Sequence, residues 1–150
     1  MNTRVMAEDY IKRARTNLRQ AEDSLIMADF ATSIRRAQEC VELALKGVLR
    51  LLAIEYPLKH DVGDVLGTLQ SREDLPLWFT SEILNLVEIS ADLSRKRGPA
   101  MYGYEAEFKP ASDLFTKEDS SKALEAAKKV FSICERLVRE SVSCASHFQR

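Results

Sequence analysis

The chain has 150 residues, a formal net charge of -1 and a hydrophobic content of 45%. This length suits one domain with one core, and the abundant helix formers beside only five glycines and four prolines favour helices over a sheet. A nearly neutral chain has no overall charge that would attract nucleic acid, so such a ligand would need a local basic patch. We therefore expect a single helical domain over residues 1–150.

The three cysteines, Cys40, Cys134 and Cys144, match neither a disulfide framework nor a zinc-binding spacing. We interpret them as reduced thiols and expect neither a metal nor a cofactor. The N-terminus lacks the apolar core of a signal peptide, and no run approaches the roughly 18 apolar residues of a membrane span. These features indicate a cytoplasmic protein that does not enter a membrane.

The first predicted helix covers about residues 3–27, because apolar residues repeat there at steps of four and three. The basic residues on its outer face are Lys12, Arg13, Arg15 and Arg19. That row is either an ordinary solvated face or a strip that attracts phosphate. Asp29 can cap the next helix, which predicts a short connection and an antiparallel hairpin.

The second predicted helix, from Phe30 to Ala53, is the most informative stretch. Its apolar arc of roughly 160° is wider than one neighbour can cover, so we expect it to be the central helix of a bundle. The arc consists of Ala37, Cys40, Val41, Ala44, Leu45, Gly47, Val48, Leu51 and Leu52. Gln38, Glu42 and Lys46 are stacked on the polar arc. They form either an ordinary solvated row or the lining of a cleft or subunit contact.

A short helix is predicted after Pro57, with Asp61 as its cap. The residues expected to turn inward are Val62, Val65, Leu66 and Leu69. His60 lies just before the cap and has no partner at metal-ligand spacing. It either orients a cleft or completes the turn.

A third long helix is predicted from Pro76 to about Ser94, ending in a basic triplet. Gly98 and Pro99 are expected to break it. The following segment, 98–115, then forms a loop of roughly eighteen residues, a length more typical of functional loops than of simple connections. A capping box of Thr116 and Asp119 predicts the start of the last helix, which extends to about Ser143.

These elements predict an all-α, up-and-down bundle of four long helices plus one short helix. Familiar catalytic motifs, such as a Gly-rich phosphate loop, HExxH and CxxC, are absent. The one stretch with chemical character is RKRGPAMYGYE, from Arg95 to Glu105. Arginine can hold a phosphate and tyrosine can stack on a base. The same residues also occur as ordinary helix-end charges and packed rings.

Two stretches resemble a known family. AQECVELALKGVLRLL, followed by KHDVGDVL, is similar to the central helix and following loop of HEPN domains (higher eukaryotes and prokaryotes nucleotide-binding). The similarity is strongest from Ala37 to Leu66, and the whole chain agrees in length and helix order. The resemblance implies a helical bundle that is commonly a homodimer. Many members are metal-independent ribonucleases, often toxins paired with a minimal nucleotidyltransferase.

The ribonuclease motif of that family is an arginine followed a few residues later by a histidine, often with a tyrosine two positions beyond. In this chain Arg97, or Arg95 at the longer spacing, is followed by Tyr102 where the histidine would stand, and Tyr104 matches the trailing tyrosine. In the family, the histidine is thought to help activate a ribose hydroxyl and the arginine steadies the phosphate. Two copies of the motif meet across the dimer.

Tyr102 is a poor chemical substitute for that histidine. A phenol with a pKa of about 10 stays protonated at neutral pH, whereas a histidine with a pKa near 6.5 exchanges protons there. Losing a general base typically costs about 10² to 10⁴ in rate. The resemblance therefore implies little ribonuclease activity, with Arg97 and Tyr102 as the catalytic residues only if activity remains. In some toxin pairs the partner adenylylates the trailing tyrosine, whose matching position is Tyr104.

Three functions follow from these observations, and whether the chain is an enzyme stays open. The preferred one is a catalytically degenerate HEPN-like homodimer that binds a nucleotide, RNA or a nucleotidyltransferase partner. Its expected binding residues are Arg95, Arg97, Tyr102 and Tyr104. The second is a metal-independent endoribonuclease toxin of a HEPN/nucleotidyltransferase toxin–antitoxin pair. The third is a purely structural helical interaction module.

Overall fold

The computed structural model describes the backbone of residues 2–148 and the side chains of residues 2–141. Within that range the α-helices are α1 (Thr3–Ile26), α2 (Phe30–Leu51), α3 (Gly63–Gly67), α4 (Leu77–Thr80), α5 (Ile83–Tyr102) and α6 (Lys117–Phe148). Single turns of 3-10 helix at Glu105–Glu107 and Ala111–Asp113 connect α5 to α6, and no strand occurs over the same residues. The predicted all-α bundle of four long helices is confirmed, with two short helices where one was expected.

Helix α2 is the centre of the bundle and packs against α1, α5 and α6. Its buried face follows the predicted apolar arc as far as Val48, while Leu51 and Leu52 are only half-buried at the end of the helix. The prediction fails at Gln38, which was placed on the polar arc but is 1% exposed. Burial is tolerated there because both ends of its amide are hydrogen-bonded.

The α1–α2 hairpin forms as predicted, with the Asp29 carboxylate accepting the Thr32 N–H at 3.2 Å. Small residues let the two helices approach closely. A Cβ added to Gly47 would lie 3.3 Å from the Cβ of Tyr10. The fully buried small residues of α1 are Ala7, Ala14 and Ala21. This close packing fixes the face of α1 that carries Arg13 relative to α2.

The single helix predicted from Pro76 to about Ser94 is divided into α4 and α5 by a turn. Phe79 and Ile83 are both fully buried on either side of that turn, so the core contact continues across it. Leu77 and Leu84, which share the predicted apolar pattern, are exposed. Pro76 precedes α4 in an extended conformation, which accounts for the helix beginning there.

The prediction that Gly98 and Pro99 end the helix is wrong, because α5 continues through both residues to Tyr102. Pro99 has no N–H and therefore removes only one helical hydrogen bond. The final turn is closed by a 2.9 Å bond from the Gly103 N–H to the Pro99 carbonyl, and Ala100 packs into the core. The basic triplet consequently lies within a helix, where its members point in different directions.

The segment after α5 is shorter and more ordered than the loop predicted over 98–115. Tyr104 and Lys109 exchange two backbone hydrogen bonds, with N–O distances of 2.9 and 3.1 Å, and so close a small ring of chain. The predicted capping box at the start of α6 is confirmed. The Thr116 N–H donates to Asp119 at 2.9 Å, and the Asp119 N–H donates to the Thr116 hydroxyl at 3.1 Å.

Helix α6 extends to Phe148, beyond the predicted end near Ser143. Cys40 and Cys134 are buried free thiols, and burial raises the pKa of Cys40 to about 12 and that of Cys134 as well. The Cys144 side chain lies outside the described residues. Over the part of the chain that is described, no helix is both long and apolar enough to cross a membrane.

Candidate functional site

Arg97 is the one predicted site residue that α5 directs towards the central helix. Its Nη1 donates to Gln38 Oε1 at 2.5 Å and lies 3.6 Å from Glu39 Oε1. The Arg97 side chain is only 22% exposed. One hydrogen bond and one ion pair with successive residues of α2 therefore fix the guanidinium, which remains partly accessible.

Glu42 continues this polar network along α2. Its Oε1 accepts the Gln38 amide at 2.9 Å and lies 2.8 Å from His60 Nδ1, while its Oε2 accepts Lys46 Nζ at 3.0 Å. Burial, the largest single influence, raises the pKa of Glu42, but the hydrogen bonds from Gln38, Lys46 and His60 together lower it below its ordinary value. Glu42 is thus a carboxylate that connects Arg97, through Gln38, with His60.

His60 is held in place by the residue that follows it. Asp61 Oδ1 accepts the Gly63 N–H and the Ser90 hydroxyl, both at 2.9 Å, and the Val62 N–H donates to that hydroxyl at 3.3 Å. Asp61 therefore anchors the loop to α5, but it is not the predicted cap of the short helix, because the N-cap position of α3 is Val62. Of the predicted inward positions, Val62, Leu66 and Leu69 are buried, and Val65 is half-buried against the core.

A cleft of about 210 Å³ opens beside Arg97. Its lining consists of Arg13, Asn17, Glu39, Glu42, Leu43 and Arg97. Arg13 comes from the basic face of α1 and is held loosely by Asp9, at 3.9 Å. Asn17 Oδ1 is buried at this cleft and accepts no hydrogen bond from the described residues. The cleft therefore combines two guanidinium groups with two carboxylates.

Arg95 lies on another side of α5. Residues two apart on a helix are separated by about 200°, so Arg95 and Arg97 face nearly opposite directions. The Arg95 side chain is 72% exposed, lies 3.6 Å from Asp92, and lines a separate depression with Lys96 and Lys122. The structure does not bring Arg95 to the Arg97 cleft.

Tyr102 and Tyr104 lie at the far end of α5. Tyr102 is about 140° around the helix from Arg97 and 60% exposed, and it lines a shallow depression with Phe108 and Lys109. Tyr104 follows Gly103 in the closed ring of chain and is 48% exposed. The four predicted site residues are therefore distributed over three depressions and the loop.

Sequence reasoning left four contributors to this site unassigned: Gln38, Glu42, His60 and Asn17. The spacing of Gln38, Glu42 and Lys46 offers a cleft as one interpretation, and the sequence leaves open whether His60 orients a cleft or completes the turn. Asn17 gave no signal, because a lone Asn in an amphipathic helix resembles any surface residue. Among the described residues no group of three or more His, Cys, Asp or Glu side chains could hold a metal ion.

One family model matches most of the chain. The family model of the HEPN domain matches residues 7–137. The chain is 27% identical over 136 residues to "Putative toxin MJ1304" of Methanocaldococcus jannaschii, and the match covers 89% of each chain. These two matches include α2, the His60 loop and Arg97.

Two solved structures share the fold. The protein TT1696 from Thermus thermophilus matches with a TM-score of 0.69 and 30% identity over 91% of this chain and 98% of that one. ST0689, described as an archaeal HEPN homologue, matches with a TM-score of 0.63 over 88% of this chain and 97% of that one. At 19% identity the second likeness concerns the fold alone. The chain is a member of the HEPN family.

Proposed function

We propose that this chain is a homodimeric HEPN protein that binds RNA or a nucleotide at the Arg97 cleft and acts with a minimal nucleotidyltransferase partner. The observation that carries the proposal is the position of Arg97, which is fixed by α2 and exposes one edge to a cleft that Arg13 also lines. Guanidinium groups bind phosphate oxygens in a bidentate manner. Two of them at one cleft favour a phosphate-bearing ligand.

Glu39 balances part of this charge in the free protein. Its 3.6 Å separation from Arg97 is an ion pair without a hydrogen bond, whereas the bond to Gln38 is short. A phosphate that enters the cleft can replace Glu39 as the ionic partner of Arg97, while Gln38 continues to orient the guanidinium.

Tyr102 and Tyr104 extend the proposed binding surface beyond the cleft. Both rings are at least 48% exposed, and exposed tyrosine rings provide stacking platforms for unpaired bases. Arg95, on the outer side of α5, is the fourth proposed contact and the least constrained one. The exposed Tyr104 is also the proposed acceptor of an adenylyl group from the nucleotidyltransferase.

In this proposal the arginine and histidine of the family's ribonuclease motif no longer form a catalytic pair. Tyr102 replaces the motif histidine and lies about 140° around α5 from Arg97, so the two side chains do not share a helix face. A phenol is also a weak base at neutral pH. Arg97 therefore binds a ligand, and Tyr102 does not activate it.

A metal-independent endoribonuclease toxin is the second candidate. The name of the Methanocaldococcus jannaschii relative is the observation that favours it. This candidate needs a proton acceptor near Arg97 other than Tyr102.

The experiment that tests the proposed function is a binding titration with a single-stranded RNA and with ATP. Arg97→Ala is expected to weaken binding at least tenfold, because it removes a fixed guanidinium, a contact worth about 1.5–3 kcal/mol. Arg95→Ala, a matched change in the same helix, is expected to weaken it by less than threefold. Equal affinities for the parent and Arg97→Ala would refute the proposed site. If the parent binds neither ligand, the third hypothesis, a purely structural interaction module, would be favoured.

A further inference from the structure

His60 and Glu42 form a carboxylate–imidazole pair that the proposed function does not use. The 2.8 Å contact joins His60 Nδ1 to Glu42 Oε1. A carboxylate oxygen can only accept, so the proton in this contact is carried by His60 Nδ1, and in that tautomer Nε2 carries the lone pair. Nε2 is left with a free lone pair and makes no hydrogen bond within the described part of the chain. The His60 side chain is 54% exposed, so an incoming group can reach it.

The pair is rigidly supported on both sides. Glu42 is 16% exposed and is held by Gln38 and Lys46, and His60 is fixed through the bonds of Asp61 to Gly63 and Ser90. A carboxylate that orients an imidazole and stabilises its protonated form is the arrangement that makes histidine an effective general base.

The pair is also connected to the phosphate-binding arginine. Arg97 bonds to Gln38, Gln38 bonds to Glu42, and Glu42 contacts His60, with distances of 2.5, 2.9 and 2.8 Å. Glu42 itself lines the Arg97 cleft. His60 and Arg97 therefore both contact the same face of α2, His60 through Glu42 and Arg97 through Gln38, although they are far apart in sequence.

We propose that His60, oriented by Glu42, is a general base that acts on an RNA strand held by Arg97. This goes beyond the proposed function, because it assigns proton transfer to a protein that lacks the motif histidine. It rests on that function in taking RNA as the ligand and Arg97 as the residue that holds it. His60 is the catalytic residue and Glu42 is a positioning residue.

The reaction is a transesterification within the strand. His60 Nε2 takes the proton of a ribose 2′-hydroxyl, and the 2′-oxygen forms a bond to the adjacent phosphorus. The bond from phosphorus to the 5′-oxygen breaks, and that oxygen takes a proton from water. The imidazolium then returns its proton to the solvent. Arg97 stabilises the charge on the phosphate oxygens throughout.

The test combines cleavage and binding, both in the presence of a chelator. Cleavage of a single-stranded RNA is followed by the appearance of 2′,3′-cyclic phosphate ends. Binding is measured with the same sequence in 2′-O-methyl form, which has no free 2′-hydroxyl and cannot react. The variants are His60→Ala, Glu42→Gln, Arg97→Ala and, as the matched control for the motif position, Tyr102→Phe.

We expect His60→Ala to lower the cleavage rate about 10² to 10⁴-fold, to keep its affinity for the 2′-O-methyl strand within threefold, and to regain activity with added imidazole. Tyr102→Phe is expected to cleave like the parent. Glu42→Gln is expected to lower the rate and to alter its dependence on pH, since the group facing His60 loses its charge while Lys46 and Arg97 keep theirs.

Two results would overturn the proposal. One is cleavage that survives His60→Ala but is lost in Tyr102→Phe. The other is that the 2′-O-methyl strand binds in a way that depends on Arg97, while RNA is not cleaved at any pH. That result would rule out His60 as a general base and would leave the proposed function unaffected. Failure of the parent to bind the strand at all would remove both.

Discussion

Arg95 and Arg97 are two residues apart in one helix, yet their surroundings differ sharply. Arg97 is 22% exposed and is fixed by two residues of the central helix, whereas Arg95 is 72% exposed and is paired with Asp92 of its own helix. An exposed ion pair contributes at most about 1 kcal/mol and leaves the side chain mobile. The helical phase, which the sequence spacing alone did not reveal, therefore selects Arg97 as the anchor.

Gly103 is required by the backbone at the point where α5 ends. Its φ is +67°, and an added Cβ would lie 2.2 Å from the Lys109 carbonyl oxygen. We expect Gly103→Ala to lower the free energy of unfolding by about 1–3 kcal/mol, because both strain and overlap arise. Gly98→Ala is the control, since nothing lies within 4 Å there and alanine is the better helix former, so it should stabilise by roughly 0.5–1 kcal/mol. Chemical denaturation measures both, and equal effects would contradict this account of the loop.

Glu42 predicts a pH dependence of stability. Because its pKa is lowered in the folded chain, its contribution is present above its ordinary value of 4.5 and is lost as the pH falls through the folded value. Glu42→Gln should therefore destabilise the protein at pH 7, by about 1–3 kcal/mol, and the difference from the parent should shrink in acid. Denaturant midpoints at neutral and acidic pH measure it. Glu125→Gln, on the exposed side of α6, is the control, and a difference that does not change with pH would contradict the role of Glu42.

At the scale of elements, the first two helices and the start of α6 could be predicted from the sequence because their signals are local. Asp29, the apolar period and the Thr116–Asp119 box each act within one or two turns. The end of α5 could not be predicted in this way. Pro99 removes one hydrogen bond from the helix. This loss is offset by the burial of Ala100 and by the bond from the Gly103 N–H to Pro99, and both depend on the tertiary packing.

The capping box of α6 gives the prediction for this scale. Thr116→Ala removes the hydroxyl that accepts the Asp119 N–H and should lower the free energy of unfolding by about 1 kcal/mol. Thr16→Ala, in the exposed middle of α1, removes only a long 3.4 Å bond to Lys12 and should change stability by less than about 0.5 kcal/mol. Equal losses measured by denaturation would show that the box is not a stabilising cap.

The whole molecule brings the site together from distant parts of the chain. The Arg97 cleft takes residues from α1, α2 and α5, and His60, on the loop after α2, contacts Glu42 of its lining. The sequence indicated the family, the bundle and Arg97, but it did not reveal that Gln38 and Glu42 connect Arg97 to His60. Such a connection depends on how three helices pack, and spacing along one helix cannot show it.

The proposed homodimer belongs to this scale as well. Sedimentation equilibrium is expected to give twice the 17.0 kDa mass of the chain. A monomer at micromolar concentration would contradict the dimeric part of the proposal. The Arg97 cleft is formed by one chain, so ligand binding would still test it.

The most direct test of phosphate binding at the Arg97 cleft is the salt dependence of RNA affinity for the parent and for Arg97→Ala. If Arg97 contacts a phosphate, the parent should bind more tightly at low salt, and the variant should lose affinity together with about one unit of the slope of log affinity against log salt. The same affinity and the same slope in both proteins would show that Arg97 does not hold the ligand.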